Sequence, residues 1–415
     1  MTSTPERPFS LRSVALAAFL PTLVFAIGEG AIIPIIPVVA HNLGATLAVA
    51  GFIAAMIMVG ELLGDIPSGW IVSRIGERTA MIGASFLSIA GLITAMVAPN
   101  PWLLAFGILL VGLATAVFAL ARHAFMTSYV PVAYRARALS SLGGTFRFGY
   151  FIGPFISAAV IHLTGTSQSV FWIHIGACLA AAGILLLLPD PAATFGTPHG
   201  RSGAGGRLMA RQAQGLFSTI WISRGVLVKL GGGAALIGAL RASRQVILPL
   251  WAVSIGISDT NTALIIGVAG GVDFALFYAS GQIMDRFGRM WTSVPSMLGL
   301  GAGHIILAFT HDAPGRVLWF IGVAILLSLA NGIGSGLLMT LGADLADKDD
   351  PAPFLGAWRF TSDAGSAAAP LAVSLITALA SVAIASSIMG VFGLLGAGIL
   401  ARYLPRYLPR RPARR

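Results

Sequence analysis

Ten ionisable side chains stand inside long apolar runs of this sequence: Glu29, Glu61, Asp65, Arg122, Arg147, Arg241, Arg244, Asp273, Arg359 and Asp363. A charge at the centre of a bilayer costs roughly 3 kcal/mol even on lenient insertion scales, so each is expected to have a partner and a task. The chemistry open to them is ion pairing, proton exchange and the capture of a charged small molecule. Bond-making chemistry has no support: no nucleophile elbow or metal-ligand cluster accompanies them, and the "GGG" at 231–233 follows no strand, so it is no phosphate loop.

The chain of 415 residues is 56% hydrophobic and 10% charged, with a mean hydropathy of +0.87, where soluble domains carry about a quarter of their residues charged. It reads as a polytopic membrane protein. The single Cys178 allows no intramolecular disulfide and no cysteine metal cluster. The net charge of +11 comes from short loops and the tail "RYLPRYLPRRPARR" rather than from one soluble face, which argues for membrane topology and against nucleic acid. The N-terminal apolar run is too long for a signal core and has no small-residue cleavage site before Glu29, so it reads as a spanning helix.

Runs near the ~20 residues needed to cross a membrane fall at about 11–39, 46–72, 79–98, 101–128, 139–162, 170–189, 225–253, 262–284, 291–310, 316–341, 354–378 and 381–403. Arg74, Arg78, Arg135, Arg137, Arg201, Arg207, Arg211, Arg224, Arg286 and Arg289 occupy alternate loops on the side of the basic tail, whereas "AHNLGAT", "APNP" and "HLTGTSQS" opposite are nearly uncharged. The positive-inside rule therefore places both termini in the cytoplasm, in the plasma membrane, with the basic loops and tail against anionic lipid headgroups. The Gly-, Pro- and Arg-rich stretch "PDPAATFGTPHGRSGAGGRLMARQAQG" divides the chain into a bundle at 1–190, a cytoplasmic linker at 191–224 and a bundle with basic tail at 225–415.

The halves are copies. "GWIVSRIGER" at 69–78 and "GQIMDRFGRM" at 281–290 lie 281 − 69 = 212 residues apart. The same offset aligns Ile35, Pro37, Ala40 and Gly44 with Ile247, Pro249, Ala252 and Gly256, and Gly144, Arg147, Phe148 and Gly153 with Gly356, Arg359, Phe360 and Gly365. Two homologous six-helix halves imply bundles related by an axis along the membrane normal, with a site between them near the midplane.

The two loops, with Gly69, Arg74, Gly76 and Arg78 in one and Gly281, Asp285, Arg286, Gly288 and Arg289 in the other, resemble the G-x-x-x-D-R-x-G-R signature of the major facilitator superfamily. "GYFIGPFIS", with Gly149, Gly153 and Pro154, is similar to the antiporter signature of its drug:proton exchangers. Ser73 replaces the first loop acid, Ser157 the last signature Gly, and Ile108 the Arg that exporters carry in helix 4, which opposes the usual exporter proton mechanism. The resemblance implies an all-α membrane protein of twelve helices in two pseudo-symmetric six-helix bundles, with helices 1, 4, 7 and 10 around a central cavity. It further implies a secondary active transporter that works as a monomer without a cofactor, exchanging a small-molecule substrate against protons by alternating access. Export of a drug or metabolite is the leading expectation. Proton-coupled import of an organic acid or other nutrient is the alternative, and a membrane-embedded enzyme or sensor is the reading from another class.

The 212 offset pairs Glu61 with Asp273 and Arg147 with Arg359. Glu61 lies about 12 Å and Arg147 about 15 Å from the cytoplasmic helix ends at 1.5 Å per residue. With helix 2 packed on helix 11 and helix 5 on helix 8, as the resemblance implies, the expected interdomain pairs are Glu61–Arg359 and Asp273–Arg147, latching the cytoplasmic side. The competing reading pairs each acid within its own half, or Arg359 with Asp363 one turn on.

Glu29 is the candidate proton-coupling group, flanked by Gly28 and Gly30, and its repeat mate is Arg241. A buried carboxylate there either titrates or stays locked to Arg241. Arg241, Arg244 and Gln245 share one helix face in the expected cavity. Two bases against one acid point to an anionic substrate unless Asp344 or Asp363 neutralises them. Asp65 is expected to reach Arg122 and His123, or to stand in for the acid missing at Ser73 by facing the N-terminal end of helix 11. His162, His174 and His304 read as polar helix contacts. Gly112, Gly332, Gly334 and Gly336 read as close-packing sites, with "GIGSG" a place where helix 10 can bend.

Overall fold

Hydroxyl and amide side chains start the helices. Thr46, Ser258 and Ser381 accept the backbone N–H groups of Val49, Asn261 and Ile384, and Asn100 accepts those of Trp102 and Leu103, satisfying donors that the first helical turn leaves open. The computed structural model describes residues 19–130, 132–188, 216–347 and 352–408. Among these residues there is no strand, and 12 helices are long and apolar enough to cross a membrane. We label them α1 (Leu20–Asn42), α2 (Leu47–Ile75), α3 (Glu77–Met96), α4 (Pro101–Tyr129), α5 (Val132–Thr164), α6 (Val170–Leu187), α7 (Arg224–Ser254), α8 (Asp259–Phe287), α9 (Met290–Phe309), α10 (Arg316–Leu345), α11 (Ala352–Leu379) and α12 (Val382–Tyr407).

Packing repeats with the sequence. In the first bundle α1 lies on α5, α2 and α3 on α4, and α3 on α6. In the second α7 lies on α11, α8 and α9 on α10, and α9 on α12. The bundles meet through α2 on α11 and α5 on α8, and at one end through α7 against α1 and α2. The outer faces carry exposed Trp102, Leu163, Leu187, Phe309 and Leu318, the arrangement of a protein whose solvent is lipid.

Two spans are broken. In α1 the helix stops at Ile32 and resumes at Ile36 around Pro34 and Pro37, where missing N–H groups interrupt the ladder. In α10 it stops at Ile333 and resumes at Leu337 across "GIGSG", with Gly336 at φ +74°. The sequence allowed bending there; the chain in fact breaks, and the Gly334 carbonyl within the break meets a cavity arginine.

Several expectations change. The twice-written "loop" is mostly helix: α2 continues through Gly69, Ser73 and Arg74 to Ile75, and α8 through Gly281, Asp285 and Arg286 to Phe287. The turns are made by Gly76 (φ +83°) and by Gly288 (φ +92°) with Arg289, the glycines taking a positive φ that they adopt without strain. The helix α5 begins at Val132 rather than near 139. Of the expected linker, residues up to 215 lie outside the described residues, while Leu216–Ile222 is helical and rests on α11. Arg201, Arg207, Arg211, the side chains of Arg135 and Arg137, residues 1–18 and the tail beyond 408 also lie outside them.

Within each bundle, glycines let helices approach to backbone contact. A Cβ at Gly153 would stand 2.5 Å from the Ala31 nitrogen, and one at Gly149 would stand 2.6 Å from the Ala26 Cβ. Gly365, the mate of Gly153, meets the Ala235 carbonyl of α7 in the same way. By contrast Gly176, on the outside of α6, has nothing within 4 Å. Gly153→Val should therefore cost roughly 1–3 kcal/mol by forcing α5 off α1, while Gly176→Ala should cost nothing. Thermal unfolding of the two variants in detergent, followed by tryptophan fluorescence, measures this; equal midpoints would contradict the packing described.

Candidate functional site

The bundles enclose a cavity of about 440 Å³ lined from both halves. Its apolar wall includes Ile57, Met58, Phe146, Phe151, Leu248 and Phe274; charged groups stand at two places in it. At the end of the molecule away from the repeated motif, Asn42 and Ser167 of the first half donate to Asp259 of the second, Asn42 at 3.4 Å, and Ser374 Oγ donates to the Ala48 carbonyl at 2.7 Å. These contacts hold that end together.

On the α5–α8 side the expected pair forms: Arg147 Nη1 lies 3.1 Å from Asp273 Oδ1. The other carboxylate oxygen takes Arg244 Nη2 at 3.5 Å and Asn331 Nδ2 at 2.7 Å, and Arg244 also donates to Ser328 Oγ at 2.8 Å. The Arg147 guanidinium sits 5.1 Å from the centre of the Phe277 ring, a favourable cation–π contact. Asn331, Ser328 and Phe277 carry no charge and were not legible as site residues.

On the α2–α11 side the expected partner is wrong by one turn. Arg359 Nη2 binds Asp65 Oδ1 at 2.9 Å, and its Nε binds Asp363 Oδ2 at 3.3 Å. Glu61 makes no hydrogen bond or ion pair with any described residue. It lines the cavity with Asp65, Asp363, Glu29 and Arg359 as charged neighbours. The cause is the residue four places on: Asp65 occupies the position of Phe277 in the repeat and offers Arg359 a carboxylate, where Phe277 offers Arg147 only a ring. The cross-half pair and the local Arg359–Asp363 pair, read as alternatives, coexist. Asp65 thus reaches α11 through a guanidinium, not through the helix N-terminus, and it does not reach Arg122 or His123. His123 bonds the Ala119 carbonyl of its own helix.

Glu29 is fully buried and is not paired with Arg241. Its Oε1 accepts Thr115 Oγ1 at 2.9 Å, and its Oε2 has no hydrogen-bond partner. Arg122 and Tyr150 are its polar neighbours, and with Thr115 they form the cavity wall that covers it. Arg122 stacks 4.5 Å from the Phe146 ring. Arg241 instead donates through Nη2 at 2.6 Å to the Gly334 carbonyl, which lies in the break of α10 and also accepts the Leu337 N–H at 3.2 Å. Since 29 + 212 = 241 and 122 + 212 = 334, the repeat mates of Glu29 and its charged neighbour Arg122 are the partners Arg241 and Gly334. Gln245 lines the cavity beside Arg244. Neither acid expected to neutralise these bases does so: Asp344 binds Arg289 at 2.8 Å, and Asp363 binds Arg359.

The signature residues are structural struts. Arg78 caps α6 by donating to the carbonyls of Leu185, Leu186 and Leu188 at 2.7–3.1 Å. Arg289 ties α10 to the end of α8 through Asp344 and, at 3.5 Å, the exposed Asp285. Arg74 and Arg286 stack on Trp70 and Phe287. Ser73 turns back to the Trp70 carbonyl at 2.8 Å. Gly149, Gly153 and Ser157, whose hydroxyl donates to the Ala31 carbonyl at 2.6 Å, press α5 on α1 and bring Tyr150 to Glu29, with Pro154 on the cavity wall. His174 and His304 bridge helices through Ser88 and Ser243 at 3.2 and 3.3 Å, whereas His162 is exposed. The observed pairing makes a discriminating prediction. Asp65→Arg and Arg359→Asp should each cost on the order of 1 kcal/mol, Arg359 being 44% exposed. Their combination should recover most of the thermal midpoint, whereas Glu61→Arg combined with Arg359→Asp should recover none; the reverse outcome would restore the pairing first expected.

Comparison with known proteins agrees with this architecture. The tetracycline resistance protein of class G from Vibrio anguillarum is 27% identical over 87% of this chain and 89% of its own. Probable inositol transporter 3 of Arabidopsis thaliana is 24% identical over 46% of the chain, which spans 33% of that relative's length, and the galactose-proton symporter of Escherichia coli K12 is 25% identical over 43% of the chain and 38% of its own. Among solved structures, a POT family transporter in complex with a thioalcohol-conjugated peptide superposes with a TM-score of 0.76 at 13% identity, covering 96% of this chain and 97% of that one. A D-xylose-proton symporter superposes at 0.74 and 15% identity, covering 97% and 99%. Residues 18–370 match the Major Facilitator Superfamily, and with twelve spans in two repeated bundles the chain belongs to that family of transporters.

Proposed function

We propose that this transporter is a proton-coupled exporter of a small amphiphilic or charged molecule, working by alternating access. The observation that carries the coupling is Glu29: a fully buried carboxylate whose Oε2 makes no hydrogen bond, set beside Thr115, Arg122 and Tyr150 of the cavity wall. An oxygen so placed is a seat for a proton that a shift of Arg122 would open or close. Ile108 leaves α4 without the exporter arginine of the signature, and Arg122 on the same helix is the base near Glu29. Export rather than import is supported by the match to a tetracycline resistance protein along nearly the whole of both chains. Interfacial pairs Asp65–Arg359 and Arg147–Asp273 would act as latches on the side of the repeated motif. The basic loops and tail would face the cytoplasm and its anionic lipids, with the protein acting as a monomer in the plasma membrane.

A second reading, import of an organic acid or sugar by proton symport, draws on Arg241 and Arg244 in the cavity wall and on the partial match to sugar and inositol transporters. Everted membrane vesicles from an overexpressing strain separate the two, with tetracycline, a cationic dye and an aromatic carboxylic acid as probes. In the proposed exporter an imposed proton gradient drives uptake into everted vesicles, an uncoupler abolishes it, and Glu29→Gln reduces it to the uncoupled background while leaving substrate exchange intact. Uncoupler-insensitive uptake, or unchanged accumulation by Glu29→Gln, would overturn the assignment.

A further inference from the structure

The charges around the cavity are segregated. Around Asp273 stand Arg147, Arg241 and Arg244, so one carboxylate faces three guanidiniums. Around Arg359 stand Glu61, Asp65 and Asp363, so one guanidinium faces three carboxylates. All eight line the same cavity, and each cluster is unbalanced by two formal charges of opposite sign. In a medium that solvates ions poorly, such an excess calls for counter-charge. Among the described residues no salt bridge joins the two clusters.

Unused hydrogen-bonding capacity points the same way. Nε of Arg241 and of Arg244 has no hydrogen-bond partner among the described residues. At the other cluster Glu61 has no partner in the protein among the described residues, because Asp65 and Asp363 already hold Arg359. The same cavity wall carries the aromatic rings of Phe146, Phe151 and Phe274. The groups left over are thus cationic donors at one cluster and a free carboxylate at the other, in a cavity that also offers apolar, aromatic surface.

We propose that the transported substrate is a zwitterion with an apolar body: its anionic group is held by Arg241 and Arg244 on α7, and its cationic group by Glu61 on α2. This deepens the transport reading and rests on it in taking the cavity as the substrate site. Binding such a molecule places one end on each half, so the ligand itself bridges the bundles that must rock against each other. A purely anionic or purely cationic ligand would satisfy one cluster and leave the excess of the other uncompensated.

The test reads binding by thermal stabilisation of the purified full chain in detergent. The probes are matched triples on three skeletons of rising size: phenylalanine, tryptophan and the dipeptide Phe-Phe, each as the free zwitterion, the cationic methyl ester and the anionic N-acetyl derivative. The proposal expects at least one zwitterion to stabilise the protein at a concentration about tenfold or more below either singly charged partner, a charged contact being lost in each of those. In Glu61→Gln the preference over the N-acetyl compound should vanish while that over the ester remains; in Arg241→Gln combined with Arg244→Gln the opposite should hold. Each variant serves as the folding control of the other, because each must keep one discrimination. Stabilisation by no zwitterion, equal stabilisation by singly charged members, or an unchanged pattern in Glu61→Gln would overturn the proposal. Flux of the bound compound in proteoliposomes is a separate readout: binding without flux would contradict the transport reading and leave the zwitterion preference standing.

Discussion

An ionised side chain inside a bilayer has almost nothing to pair with except another part of the same protein, and in this chain two of the ion pairs cross the divide between the two half-bundles. Arg147 finds Asp273, and Arg359 finds Asp65, each pair linking a helix of one half to a helix of the other. Because neither partner can leave the membrane plane cheaply, relative movement of the halves has to exchange one set of contacts for another. At the opposite end Asn42 meets the Asp259 carboxylate as a neutral donor and Ser374 meets the Ala48 carbonyl with no charge on either side, so the two ends of the molecule are held by bonds of different strength. The cavity lies between them, which is where a two-sided gate needs it.

Duplication explains both the symmetry and its breaking. The helix contacts of one half recur in the other, and so do the turn glycines Gly76 and Gly288. Chemistry has diverged at single positions within that frame. Where α8 has Phe277, a ring beneath Arg147, α2 has Asp65, a carboxylate for Arg359. Where α4 has Arg122 near the acid Glu29, α10 has Gly334, whose carbonyl accepts from the base Arg241. The first substitution changes how a guanidinium is compensated, and the second inverts the sign of the group at the centre. The net result is a cavity with an electropositive place and an electronegative one rather than two equivalent sites.

Much of this was legible in the sequence because membrane proteins write their constraints at low cost to the reader. Span length, the basic loops and the 212-residue offset gave twelve helices in two bundles, and offset with depth together picked out Arg147–Asp273. The same logic missed Asp65–Arg359 because Glu61 and Asp65 are four residues apart on one face; spacing cannot choose between i and i+4, and only the helix packing angle decides which turn meets Arg359. Glu29 and Arg241 looked like a pair because they are repeat mates on cavity helices, yet Arg241 is drawn to Gly334 by a helix break whose carbonyls no pattern of side chains announces. Thr115, Tyr150, Ser328 and Asn331 were invisible for a different reason: neutral groups in an apolar run become site residues only through the charge they face. Tyr150 alone had a signal, its place between Gly149 and Gly153 in the antiporter-like motif.

If ion pairs between the halves hold the motif-bearing side closed, removing them must widen that side. Spin labels at positions 75 and 287, the exposed Ile75 and Phe287 at the ends of α2 and α8, report the separation of the halves on that side, in a background where the buried Cys178 is replaced by Ala. Pulsed electron–electron distance measurements should show a shorter and a longer population in the otherwise native protein, and a shift to the longer one when Asp65→Asn and Asp273→Asn remove both latches. A single distance that is indifferent to those substitutions would contradict the account.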